Sequence, residues 1–144
     1  MLSYNSMGRY RHYIKKHVEP EEYSLHDFIY KLGIVNTPRI VRYNENNKRL
    51  VLEDVGNDNI ANIYGENPED IPQEIFDAIR EIILKLYQYG ILYPDITGYN
   101  FIEHKGSGKI YIIDFEHAVY NSNKTNSFVE KFIDGCNTWN PEFL

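Results

Sequence analysis

Cysteine is almost missing from this 144-residue chain. The single Cys136 excludes an intramolecular disulfide and leaves no basis for a cysteine-built metal centre. Long apolar runs are missing too: no stretch approaches the roughly 20 apolar residues that cross a bilayer. The first residues, M-L-S-Y-N-S-M-G, lack the basic and apolar regions of a secretory leader. The expectation is a reducing, cytoplasmic setting without a membrane partner. Positive charge is the third shortage. Fifteen Lys and Arg stand against 21 Asp and Glu, and the net charge of −6 disfavours nonspecific binding to nucleic acid. No nucleic-acid partner is expected. The one basic cluster, Arg9, Arg11, His12, Lys15, Lys16 and His17, reads first as a solvated strand edge.

Aromatic residues are in excess, with 13 Tyr and 7 Phe, which argues against disorder and for a packed core. The length suits one domain. Residues 1–8 read as a loose lead-in or short strand, and residues 9–18, R-Y-R-H-Y-I-K-K-H-V, as a strand. Pro20 suits the first turn of a helix, with Glu21 and Glu22 near its positive end. Leu25, Phe28, Ile29 and Leu32 fall on one helical face, and Gly33 ends it. A hairpin follows: residues 39–43, a polar turn at 44–48, and residues 49–53. A short helix is expected at 60–64 and a loop at 65–72. A long helix at 73–89 then buries Ile75, Ile79, Ile82, Ile83 and Leu86, with Gly90 after it. A short strand at 91–92 leads to a loop and a hairpin of 101–103 with 111–113. A helix at 128–133 closes the series, and Trp139 is expected to anchor the chain's end on the helical part. The class is α+β, with a small sheet and helix first and a mainly helical part after.

The chemistry concentrates in residues 92–117. Asp95 is followed five residues later by Asn100, and fourteen residues after that by Asp114 at the end of the apolar run Ile110-Tyr111-Ile112-Ile113. One carboxylate at the head of a loop, an amide at its end and a second carboxylate closing a strand suit a particular task. They can position a hydroxyl and hold Mg²⁺ against nucleotide phosphates, because all three offer hard oxygen donors. Singly, an Asp or Asn capping a loop is commonplace.

These residues and their order resemble the protein-kinase-like superfamily. Tyr93-Pro94-Asp95-Ile96-Thr97-Gly98-Tyr99-Asn100 matches H-R-D-L-x-x-x-N in length, with Asp and Asn in register. Ile113-Asp114-Phe115-Glu116 stands where the family has D-F-G, and Ile14-Lys15 resembles the end of V-A-I-K. Residues 50–56 are similar to the strand entering the hinge, and Asn140-Pro141-Glu142 to A-P-E. The likeness covers about residues 9–144. Lys31-Leu32-Gly33-Ile34 with Thr37-Pro38 resembles the small atypical kinases of the tRNA-modification complex. Residues 113–118 are more similar to choline and aminoglycoside kinases, where Glu often follows D-F.

The resemblance implies a minimal protein-kinase-like fold, with an N-lobe of about residues 1–55 and a truncated, mainly helical C-lobe of about 56–144. It implies ATP and Mg²⁺ as cofactors. Asp95 would orient or deprotonate the acceptor hydroxyl, and Asn100 and Asp114 would bind the metal. Lys15 would pair with the α/β-phosphates, with Lys16 as the alternative if the strand is read one residue out. Glu22, or alternatively Asp27, would hold that lysine, and the backbone around Glu53, Asp54 and Val55 would bind adenine.

Three departures qualify the likeness. Met7-Gly8 is too little for a Gly-rich phosphate loop, Tyr93-Pro94 replaces the orienting histidine and its arginine, and the segment after A-P-E is missing. The leading reading is therefore a minimal ATP- and Mg-dependent kinase acting on a hydroxyl, by default of a protein Ser/Thr, with slow or partner-dependent turnover. The alternatives are a pseudokinase that serves as a binding module, and a small-molecule kinase of the choline or aminoglycoside type.

Overall fold

Alternation along the first hairpin decides which way Lys15 faces. In the computed structural model, which describes residues 3–7, 10–121 and 123–144, strands β1 (Ser3–Met7) and β2 (Tyr10–Lys15) pair antiparallel. The turn between them, including Gly8 and Arg9, lies outside the described residues, as do the side chains up to Arg11. Tyr13 is buried, and the period of two puts Lys15 on the same face while Lys16 falls outside and is exposed.

Helix α1 (Pro20–Leu32) begins with Pro20 in its first turn and ends at Gly33, whose φ of 66° lies in the left-handed region. Its buried stripe is Glu22, His26 and Ile29. The expected apolar face is corrected here: Leu25 and Leu32 are only half-buried and Phe28 is 36% exposed. The reason is the helix's neighbours. It faces the Lys15 ammonium and the Phe115 ring, so its inner positions carry a carboxylate and an imidazole with partners there.

Strands β3 (Ile40–Asn44) and β4 (Arg49–Glu53) complete a sheet of order β1-β2-β4-β3. The β3–β4 register shifts between Ile40 and Arg42, so Val41 is the extra residue of a bulge that sequence spacing does not reveal. A small core of Tyr13, Val18, Leu50 and Leu52 lies in this part, with Tyr23 stacked on Tyr43 beside it.

The larger core forms around α3 (Gln73–Gln88), which follows the short helix α2 (Ile60–Tyr64) and a 3₁₀ turn at Pro68–Asp70. Phe76, Ile79, Ile82, Ile83 and Leu86 are buried on one face of α3. Phe76 takes the central place expected of Ile75, which sits half-buried at the rim. Strand β5 (Ile91–Leu92) pairs with β8 (Val119–Tyr120), and β6 (Phe101–Glu103) with β7 (Ile110–Ile112). Sequence spacing gives no sign of β8. Helix α4 (Ser127–Ile133) is capped by Asn126 and packs Phe132 against Phe76, while Trp139 meets Phe76 at 4.8 Å. Ile29 of α1 also belongs to this core, so one helix ties the sheet to the rest. Among the described residues no helix is long and apolar enough to cross a membrane.

Candidate active site

Three elements meet at Lys15. Its Nζ lies 2.6 Å from Glu22 Oε2 on α1 and 2.8 Å from Asp114 Oδ1 just beyond β7. Asp27 is turned to the outer side of α1, where it pairs with Lys31 at 2.8 Å. Burial pulls the Lys15 pKa down, but Asp114 and Glu22 together outweigh it and hold the ammonium above its ordinary 10.5. Glu22 is raised, because its burial outweighs the favourable bond from Lys15, and the Asp114 charge adds to the rise.

Asp114 reaches this point through an uncommon backbone. Its φ is 65°, in the left-handed region that non-glycine residues seldom occupy. Neighbours hold it there. Ile113 N donates to the Asn100 carbonyl at 3.0 Å, and Tyr93 Oη donates to the Ile113 carbonyl at 2.6 Å. Phe115 is buried, with edge contacts to His26 at 5.1 Å and to Tyr93 at 5.7 Å. Tyr93, which stands where the orienting histidine is expected, thus has an anchoring bond of its own. Tyr93→Phe keeps the ring and leaves the Ile113 carbonyl without that donor. The expected loss is about 1–2 kcal/mol in urea denaturation. An unchanged midpoint would show that the bond holds nothing in place.

Loop 93–100 is tied at almost every carbonyl. Ile96 N donates back to the Pro94 carbonyl at 2.8 Å, forming a three-residue turn with Asp95 at its centre. Asn100 Nδ2 donates to the Asp95 carbonyl at 2.9 Å, which leaves Asn100 Oδ1 as that amide's acceptor. Gly98 accepts from Ala61 N at 3.0 Å, and a Cβ at Gly98 would sit 3.1 Å from the same nitrogen, so a larger residue there would push α2 back by a few tenths of an ångström. Asp95 is buried, and its pKa is raised by that burial and by the Asp114 charge, with a partial offset from Asn100.

The residues expected at a hinge are tied back. Glu53 Oε1 accepts from Arg39 N at 2.8 Å, Asp54 Oδ1 accepts from Gly56 N at 2.8 Å, and the Val55 side chain is buried. Lys15, Glu22, Asn100, Asp95 and Asp114 lie in one connected network, and Glu53, Asp54 and Val55 stand at the end of β4, whose Leu50 pairs with Lys15. Sequence reasoning did not single out His26. Its Nε2 donates to the Pro38 carbonyl at 2.8 Å, and the adjacent Thr37 hydroxyl donates to the Ile112 carbonyl at 2.9 Å. A lone histidine among helical residues carries no signal of such partners.

The RIO domain family matches residues 4–136. Among solved structures, the Cydia pomonella granulovirus kinase PK-1 has a similar fold, with a TM-score of 0.61 at 14% sequence identity, over 83% of this chain and 47% of that one. The chain thus spans about half the length of that kinase. No curated protein matches it in sequence. With more than half of its length matched, the chain belongs to the RIO domain family, an atypical protein-kinase-like family of phosphotransferase type.

Proposed function

We propose that this chain binds ATP with Mg²⁺ and transfers the γ-phosphoryl group to a hydroxyl. The convergence of Lys15, Glu22 and Asp114 beside the Asp95–Asn100 loop carries this reading. Phosphoryl transfer asks for positioning and charge neutralisation more than for covalent chemistry, and these residues supply both. Two of the three Lys15 N–H donors are used by carboxylates, which leaves one for an α/β-phosphate oxygen. Asn100 Oδ1 and the Asp114 carboxylate are the oxygen donors that would hold Mg²⁺, a hard cation suited to one or two protein ligands plus phosphates. When bound, Mg²⁺ neutralises charge on the phosphate oxygens.

Asp95 acts as the general base on the acceptor. Its carboxylate accepts the proton of the attacking hydroxyl while the new O–P bond forms and the β–γ bridging O–P bond breaks, releasing ADP. Its raised pKa makes it a better base than an ordinary aspartate. With the Glu53 and Asp54 carboxylates engaged by backbone N–H groups, the main chain at 53–55 is what remains to bind adenine. The acceptor we favour is a protein Ser/Thr hydroxyl.

The test is thermal unfolding with and without Mg·ATP, followed by transfer from radiolabelled ATP to protein and small-alcohol acceptors. At 100 times Kd the ligand should stabilise the chain by about 2.7 kcal/mol, which raises Tm by several degrees. Asp114→Ala should remove the shift, and Asp95→Asn should keep the shift while losing transfer. A wild-type shift without transfer to any acceptor would identify a nucleotide-binding module instead. No shift at millimolar Mg·ATP would overturn the proposal.

A further inference from the structure

Asp95 sits in a turn that a distant residue holds on both sides. Asn140 Nδ2 donates to the Pro94 carbonyl at 2.7 Å, and Asn140 N donates to the Ile96 carbonyl at 2.9 Å. Together with Asn100, which bonds the Asp95 carbonyl, every carbonyl of the 94–96 turn has a side-chain or distant main-chain donor. Asn140 itself is 3% exposed, and its Oδ1 accepts from Glu142 N at 3.1 Å, which fixes the amide's orientation. Trp139 beside it is buried against Phe76 of α3. Its Nε1 has no hydrogen-bond partner among the described residues, so packing alone must hold the indole there. On the other side Phe143 meets the His117 ring at 5.1 Å, three residues past Asp114.

We propose that Asn140 is a positioning residue for Asp95: it locks the tight turn that carries the carboxylate, and through Trp139 it references that turn to the larger core. This rests on the phosphotransfer reading only for its effect on rate. The physical argument is one of placement. Held only by the Ile96-to-Pro94 bond and the Asn100 bond to its central carbonyl, a three-residue turn leaves the plane of its flanking peptides free to tilt and the central side chain to swing, and misplacing a catalytic group by about 1 Å costs on the order of 100-fold in rate. Two further bonds from one buried asparagine remove that freedom.

The test is Asn140→Ala in the full chain, read by amide hydrogen exchange and by steady-state kinetics. The Ile96 amide should exchange at least about 10-fold faster, with the amides of α3 unchanged. In the same variant kcat should fall by about 10- to 100-fold with KM for ATP unchanged, because Lys15 and Asp114 are placed by other contacts. A general loss of packing would instead speed exchange throughout α3 and raise KM as well, which would overturn the assignment. Should Asn140→Ala fail to fold, Asn140→Leu keeps a similar volume and the main-chain N–H bond to Ile96 while removing the side-chain donor to Pro94 and the acceptor of Glu142 N, without adding a charge, and the same outcomes apply. Unchanged Ile96 exchange overturns the proposal whatever the activity. Faster local exchange with unchanged kcat overturns the positioning role. Where the wild-type chain transfers no phosphoryl group, the phosphotransfer reading fails, and Ile96 exchange still decides whether Asn140 holds the turn.

Discussion

Lys15→Met is expected to destabilise the chain by about 3 kcal/mol and to abolish phosphoryl transfer, and a second substitution should separate the two effects. Methionine fills the volume of the lysine stem but leaves two carboxylates facing one another. The Glu22 side chain is only 7% exposed, so its charge cannot be screened by water as a surface charge would be. In Lys15→Met/Glu22→Gln the buried charge is gone, and at least half of the lost stability should return in urea denaturation. Transfer should not return, because the cation that would meet the phosphates is still absent. The pH dependence has a definite sign. In Lys15→Met the folded-state pKa of Glu22, already raised by burial, rises further above its ordinary 4.5. The defect is then largest above that raised pKa and vanishes below 4.5, where Glu22 is protonated in both folded and unfolded chains. In the wild type the pairing lasts until the pH passes the raised pKa of Lys15, above 10.5. A double variant no more stable than the single one would show that Glu22's charge is not the source of the loss.

Periodicity made most of this architecture legible. The alternation in the first strand, Pro20 and Gly33 at the ends of α1, and the apolar stripe of α3 each belong to local rules. The α+β class follows from their order, and the kinase-like resemblance of the motifs agrees with the RIO domain match. What stayed hidden depends on contacts between distant segments. The bulge at Val41 leaves no trace in composition, and a two-residue strand such as β8 is too short to show a period. His26 looks like a surface residue on a helix until Pro38 arrives from elsewhere, and Glu22 is singled out only through the resemblance, not by its own helix. At the site, the spacing of Asp95, Asn100 and Asp114 stands out because it lies within one stretch. Asn140 showed only as part of a likeness to A-P-E, with nothing to say that it bonds a loop more than forty residues earlier. Likewise, replacing a histidine by Tyr93 reads as a loss until its hydroxyl is seen on the Ile113 carbonyl.

Acid should destabilise this chain through His26, and His26→Gln should remove most of that sensitivity. His26 is 2% exposed, and its Nε2–H points at a carbonyl, which can only accept. Burial pushes its pKa down from 6.5 to about 4, against a partial offset from the Pro38 carbonyl, with the Lys15 charge adding to the fall and Asp27 opposing it. Because the folded pKa is the lower one, the folded chain binds fewer protons than the unfolded chain between the two values. Stability is therefore fully present above pH 6.5 and falls as the pH drops toward 4, by about 3 kcal/mol in all. Glu22 and Asp95, whose pKa values are raised, act in the opposite direction as they take up protons, but they do so in both chains and cancel from the comparison. Glutamine can place an amide N–H near the Pro38 carbonyl and does not titrate. Urea denaturation at pH 7.5, 5.5 and 4 should show the wild type losing about 3 kcal/mol more than His26→Gln, whereas parallel curves would mean that His26 binds its proton equally in the folded and unfolded chains. The consequence reaches the site. His26 lies edge-on to Phe115, next to Asp114, and its neighbour Thr37 bonds the end of β7, so charging the imidazole loads the strand and ring that hold Asp114 in its left-handed conformation.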